Sequence, residues 1–148
     1  MNALVIDCNI TVNWFHPPLE AAARAYSDGV LRDVIEQGLT LLVPQHWDIE
    51  VAAVLLRIQR NRAHGYGTEW LDQAMDRLSS LDIQTTQTLH NFAQVIDVAK
   101  VLNLSGYDTP YIHIAGSLRL PLATLDRAII GACERFDVVH YQPSSTLA

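Results

Sequence analysis

The sequence predicts an α/β domain whose central sheet is open, mostly parallel and about five strands wide, with helices on both faces. Three observations lead there. Short apolar runs recur along the 148 residues, segments of helical period separate them, and two of the runs end at an aspartate. The length suits a single domain spanning 1–148, and no repeat, low-complexity tract or Gly/Ser/Pro-rich linker marks a boundary.

The first run, Ala3-Leu4-Val5-Ile6, reads as a buried strand that stops at Asp7, and polar Cys8-Asn9 follow before apolar residues resume. Glu20 to Gln37 has helical period and ends at Gly38, in the position of a C-terminal cap. Thr40 to Val43 is the second strand, stopped by Pro44. Beyond it, Trp47, Val51, Val54, Leu55 and Ile58 form the stripe of an amphipathic helix, which runs out into Arg57, Arg60 and Arg62 before Gly65. Thr68 to Leu81 makes another helix, Leu81 to Thr85 a weaker strand, and Thr88 to Leu102 a further helix. Asp108-Thr109-Pro110 reads as a helix start, with Asp at the cap and Pro in the first turn, and the helix continues through Leu118. Pro121 opens the run Leu122-Ala123-Thr124-Leu125, which ends at Asp126, and Val138 to Tyr141 supplies the fifth strand.

Sixteen acidic residues against ten basic ones give a formal charge of -6 and a pI near 5.3. Taken as a sum, that balance argues against a nucleic-acid partner, since phosphate contacts need positive charge. The argument weakens if several acids gather at one site and divalent cations neutralise them. Cys8 and Cys133 are too few and too far apart for a disulfide framework or a zinc motif, and their apolar flanks mark them as small core residues. No apolar run reaches the roughly 18 residues a membrane helix needs, and the chain enters its first strand without a basic leader. A cytoplasmic protein with no membrane partner is expected.

Asp7 and Asp126 end two strands that, if parallel, bring both acids to one sheet edge, with neighbouring strands about 4.8 Å apart. Each can serve as a helix cap. Each can also face the ligand crevice that opens at the carboxyl ends of parallel strands. Unneutralised acids there repel and raise one another's pKa, a conflict that Mg²⁺ or Mn²⁺ removes because hard cations take carboxylate oxygens. Asp108 can supply a third carboxylate. For a fourth, Asp48 and Glu50 lie on opposite margins of the apolar face of the helix after Pro44, and helical geometry does not choose between them.

Four stretches, "LVIDCNITV", "VPQHWDIEVAAVLL", "YDTPYIHIAGSLRLPLATLD" and "DVVHY", resemble PIN-domain ribonucleases of the VapC toxin kind, in that family's order and across essentially the whole chain. The third is the most specific. The resemblance implies a single PIN-like domain in which Asp7, Glu50, Asp108 and Asp126 surround one or two Mg²⁺ or Mn²⁺ ions, and so it picks Glu50 over Asp48. Asn9 and Thr124 match the polar positions that orient the acids or a water among them. Ala53 departs from the Asn common three residues after the second acid, and Arg127 stands where no further acid follows Asp126. The implied reaction is metal-assisted hydrolysis of RNA phosphodiester bonds, leaving 5′-phosphate and 3′-hydroxyl ends. The implied partners are RNA, a small cognate antitoxin that occupies the active-site groove, and a second copy of the chain. Arg57, Arg60, Arg62 and Arg127 are the candidates for RNA backbone contact, although the first three also suit the C-terminal end of a helix. The apolar residues Trp14, Phe15, Trp47 and Leu56 are the expected docking surface.

Two other function classes compete. A phosphoacceptor signalling domain wants adjacent acids after the first strand and a lysine late in the sheet, whereas Asp7 is followed by Cys8 and the only lysine, Lys100, falls inside a helix. A metal-binding but catalytically idle interaction domain shares every feature of the nuclease. The six histidines show no metal-binding spacing, so His46 and His113 read as structural.

Overall fold

The computed structural model describes residues 2–144. Among these residues four strands form one all-parallel sheet: β1 (Ala3–Ile6), β2 (Thr40–Val43), β3 (Ile83–Thr85) and β4 (Leu122–Ala123), in the order β3-β2-β1-β4. The helices are α1 (Cys8–Asn13), α2 (Ala21–Gln37), α3 (Trp47–Arg60), α4 (Thr68–Ser79), α5 (Phe92–Leu102), α6 (Thr109–Leu118) and α7 (Arg127–Arg135), with a 3₁₀ turn at Arg62–His64.

The chain steps outward from β1 to β2 to β3, then returns to add β4 on the other side of β1. Right-handed crossovers therefore set the helices before β3 on one face and those after it on the other. The packing agrees, since α1 meets α2 and α3, and α3 meets α4, while α6 packs on α5, α7, β1 and β4. Between β1 and β4 lies the point where the connections diverge, and a crevice opens there at the carboxyl ends of the strands. Both strands are fully apolar and buried: Leu4, Val5, Ile6, Leu122 and Ala123 have no exposed surface. Asp7, just past the end of β1, is the first charge on that line.

The sheet has four strands rather than about five. Val138 to Tyr141 joins it only through one bridge, His140 beside Leu122. The segment turns aside because its partners lie on α2: the Tyr26 hydroxyl donates to Tyr141 O, the Tyr141 hydroxyl and Ser144 N–H donate to Asp33 Oδ2, and Pro143 packs over Gly29. A Cβ at Gly29 would stand 2.8 Å from Pro143 Cβ, which explains the glycine in mid-helix. Other bounds differ from expectation too: β3 starts at Ile83 rather than Leu81, and β4 stops at Ala123 rather than Leu125. Residues 8–13 form a short helix at the place where Asp7 can serve as a cap, though without a side-chain capping bond, and α5 begins at Phe92 rather than Thr88, because the Asn91 side chain accepts the Gln94 N–H and so caps the helix there. Gly38 ends α2 in the left-handed conformation as expected, at φ 62°.

Trp47 belongs to the core, 4% exposed, and Trp14 and Phe15 are half-buried against it. The Trp14 indole donates to Ser27 O and the Trp70 indole to Phe15 O. Of the four apolar residues expected to form a docking surface, Leu56 alone is exposed. Aromatic side chains beside the core contribute more to the fold buried than presented. Among the described residues, no helix is long and apolar enough to cross a membrane.

Candidate metal centre

Register sets the first contact. Val5 pairs with Leu122 and Ile6 with Ala123, so the next step up the ladder brings Asp7 beside Thr124, and the Asp7 N–H donates to Ala123 O at 3.0 Å. The Thr124 hydroxyl donates to Asp7 Oδ2 at 2.9 Å and accepts the Asp126 N–H at 3.1 Å. One buried hydroxyl thus ties the end of β1 to the segment leading out of β4. Asp7 stands at the N-cap position of α1 but makes no side-chain capping bond. Its carboxyl serves the crevice, not the helix.

Asp108 likewise occupies the N-cap position of α6 with no side-chain cap bond. Asp126 differs, because its Oδ1 accepts the N–H groups of Ala128 and Ile129 and caps α7. Glu50 is half-buried on the first turn of α3, while Asp48 is exposed, so of the two the crevice receives Glu50. Glu50 Oε1 accepts the Tyr111 hydroxyl at 3.1 Å and lies 2.9 Å from His46 Nε2. That same nitrogen lies 3.0 Å from the Tyr107 carbonyl oxygen, and one N–H is shared between the two acceptors.

The electrostatics identify these acids as one group. Burial pushes the Asp7 carboxyl up to about 6 from its ordinary 3.8, against the Thr124 bond, and the charges of Asp108, Asp126 and Glu50 add to the rise. Burial and then Asp126 raise Asp108 as well, with Glu50 contributing and His46 opposing. The Glu50 bond raises His46, favouring the imidazolium. Tyr111 is fully buried, and burial with the Glu50 and Asp7 charges holds its hydroxyl far above the ordinary value, so it remains a proton donor. Burial pushes the Cys8 thiol up to about 12, with Glu50 and Asp7 reinforcing the shift, which leaves it an inert core group.

Carboxylate oxygens are the donors a hard divalent cation takes. The recorded bonds engage one oxygen of each of three acids, Oδ2 of Asp7, Oε1 of Glu50 and Oδ1 of Asp126. As the side chains stand, no three His, Cys, Asp or Glu residues among those described come close enough together to hold an ion. The donor set fits a cation in kind and in charge, and its side chains must draw inward to enclose one.

Asn9 is exposed on the first turn of α1, one residue beyond the buried Cys8, and makes none of the hydrogen bonds that tie the acids together. Arg57 and Arg60 are exposed in the last turn of α3, Arg62 follows in the 3₁₀ turn, and Arg127 is exposed at the first residue of α7 beside Asp126. Two site residues escape the sequence reading. His46 lies four residues before Glu50, a helical spacing that periodicity makes legible, whereas Tyr111 meets the same Glu50 from 61 residues away and no local spacing signals that contact.

No family model matches the sequence, and no curated protein sequence matches it. The chain is similar to a solved structure, PAE2754 from Pyrobaculum aerophilum, at 17% identity with a TM-score of 0.58, over 88% of this chain and 84% of that one. That likeness shows a shared fold.

Proposed function

We propose that this chain is a divalent-metal-dependent endoribonuclease of the PIN-domain, VapC-type toxin kind. One observation carries the reading. Asp7 is a carboxyl only 4% exposed, at the point where the sheet connections diverge, and it caps nothing; burial raises it most, and acids 43, 101 and 119 positions further along the chain add to the rise. A fold does not bury such a conflict for stability alone.

In this reading Asp7, Glu50, Asp108 and Asp126 would hold Mg²⁺ or Mn²⁺. The bound cation would supply the positive charge that eases a proton from water and offsets charge on the leaving oxygen. The chain's own residues orient the acids. Thr124 holds Asp7, Tyr111 and His46 hold Glu50, and the first amides of α7 hold Asp126. Asn9 then acts on water or substrate at the crevice mouth. Arg127 is the arginine best placed for the RNA backbone; Arg57 lies about 10 Å along the α3 axis from Glu50, and Arg60 and Arg62 lie further. A cytoplasmic location, an antitoxin and a second protomer complete the reading; native purification that yields neither a small companion chain nor a dimer counts against the last two.

Partner-free protein incubated with total RNA and Mn²⁺ or Mg²⁺ should give discrete fragments that vanish with EDTA and in Asp126→Asn. A second reading is a metal-binding but idle interaction domain, which shares the same four acids. Binding of Mn²⁺ by a folded, uninhibited protein that leaves RNA intact would establish it instead.

A further inference from the structure

A cleft of about 250 Å³ opens beside the acids, between the carboxyl ends of β2 and β3 and the helices α5 and α6. Its floor is apolar, from Val95 and Ile114, and its rim is polar, from Gln45, Gln87 and Thr88. Among the described residues no Asp, Glu, Lys or Arg lines it, and its one histidine, His46, has its Nε2 turned to Glu50, so the lining offers no carboxylate to a cation and no lysine or arginine to a phosphate. Its volume falls below the roughly 300–1,000 Å³ that larger ligands fill. Neutral hydrogen-bonding groups over an apolar floor, in a space of that size, match one unpaired nucleobase.

The rim is oriented. Gln45 Nε2 donates to Gln87 Oε1 at 3.0 Å, which fixes both amides and leaves Gln45 Oε1 as an acceptor and Gln87 Nε2 as a donor for a second partner. An adjacent donor and acceptor is what a base presents along its edge. His46 connects the two places, since it lines the cleft and its Nε2 reaches Glu50. Beside it stands the ring of Tyr107, 67% exposed with its centroid 5.9 Å from that of His46, a surface on which a base can stack.

We propose that this cleft is the base-reading subsite of the nuclease, and that it takes an unpaired base of single-stranded RNA next to the phosphate held at the acids, with Gln45 and Gln87 reading the base edge. The proposal rests on the nuclease reading above. It makes the substrate class single-stranded RNA, because a base still paired in a duplex has its edge occupied and cannot enter a cleft of this size.

Two measurements on the full chain test it. In the first, wild type and Gln87→Ala cut a pool of single-stranded RNAs randomised around one site. Wild type should prefer one base beside the cut, and the variant should lose on the order of ten-fold of that preference. Gln87 is exposed, so the variant should remain folded, and its melting temperature checks this. In the second, the four nucleoside 5′-monophosphates are titrated into ¹⁵N-labelled protein without metal. The side-chain amides of Gln45 and Gln87 should shift with one base more than the others, and the response should fade in Gln87→Ala. Cleavage whose base preference is unchanged in the variant overturns the subsite and leaves the nuclease standing. No cleavage by wild type overturns the nuclease, and the amide titration alone then decides the cleft: base-selective shifts uphold base binding, and equal or absent shifts overturn it.

Discussion

Replacing Asp7 by Asn should stabilise the metal-free protein while abolishing its chemistry. Asp7 ionises at about 6 in the folded chain against an ordinary 3.8, with burial the largest cause and three neighbouring acids adding to it. A carboxyl whose folded value is raised binds its proton more tightly in the native state. Its favourable contribution is complete below about 3.8 and is lost as pH rises through about 6. At about 1.4 kcal/mol per pH unit, the loss comes to about 3 kcal/mol at neutral pH and above. Asn keeps the volume and still accepts the Thr124 hydroxyl, but carries no charge to bury. In EDTA at pH 7.5, Asp7→Asn should melt about 6–12 °C above wild type, at about 2–4 °C per kcal/mol for a chain of this size, and the gap should close towards pH 4. Mg²⁺ or Mn²⁺ should raise the melting temperature of wild type at pH 7.5 and leave that of the variant nearly unchanged. A variant less stable than wild type at pH 7.5, or a gap that does not widen with pH, would refute the claim that Asp7 is a buried charge held for a cation.

Asp126 has a cap and a site to serve, and two variants separate them. Asn retains the bonds to Ala128 and Ile129, so Asp126→Asn should melt near wild type, whereas Asp126→Ala should lose about 1 kcal/mol in urea unfolding; both should be inactive on RNA. Tyr111→Phe preserves the core but deletes the hydroxyl that donates to Glu50, which should cost about 1 kcal/mol in the same unfolding assay and lower the rate of metal-dependent cleavage. For Asp33, burial raises the carboxyl, but the Ser144 N–H and the Tyr141 hydroxyl carry it below the ordinary carboxylate range. Its contribution to stability is therefore present above the ordinary value and lost as pH falls through the folded one. Asp33→Asn should weaken the protein at pH 7, with the difference from wild type shrinking in acid melts.

How far the sequence could be read depends on the kind of information each element carries. β1 and β2 are uninterrupted apolar runs bounded by Asp7 and Pro44, and a buried parallel strand has no other appearance, so both were found to the residue. The helix at 8–13 is signalled only by the candidate cap at Asp7, with no bounds, because six residues show barely more than one period. Val138 to Tyr141 has the composition of a strand, yet its backbone is diverted by bonds to Tyr26 and Asp33, more than a hundred residues away. Composition cannot report a competition at that separation. The site followed the same rule. Asp7 and Asp126 stand out as charges ending apolar runs and Asp108 as a helix start, but only the family resemblance separates Glu50 from Asp48, and Tyr111 stays hidden because an aromatic on an apolar helix face looks like core whether or not its hydroxyl reaches a carboxylate. Trp47 misled in the opposite direction: it marks the apolar stripe of α3, and a stripe does not say whether it meets the sheet or a partner.

The strand order also determines when the crevice comes into being. β1 is the first strand made, and its neighbour on the Asp126 side, β4, is the last. A chain still emerging from the ribosome can pair β1 with β2 and β3, but one side of β1 stays open until residues 122–123 arrive. Until then Asp7 has neither its Thr124 bond nor the pressure of Asp126. Closing that gap joins positions 117 apart, a long-range step that sets a slow limit on folding. The chain must be synthesised through Asp126 before the two strand-end acids can meet, so no shorter nascent chain carries the complete set.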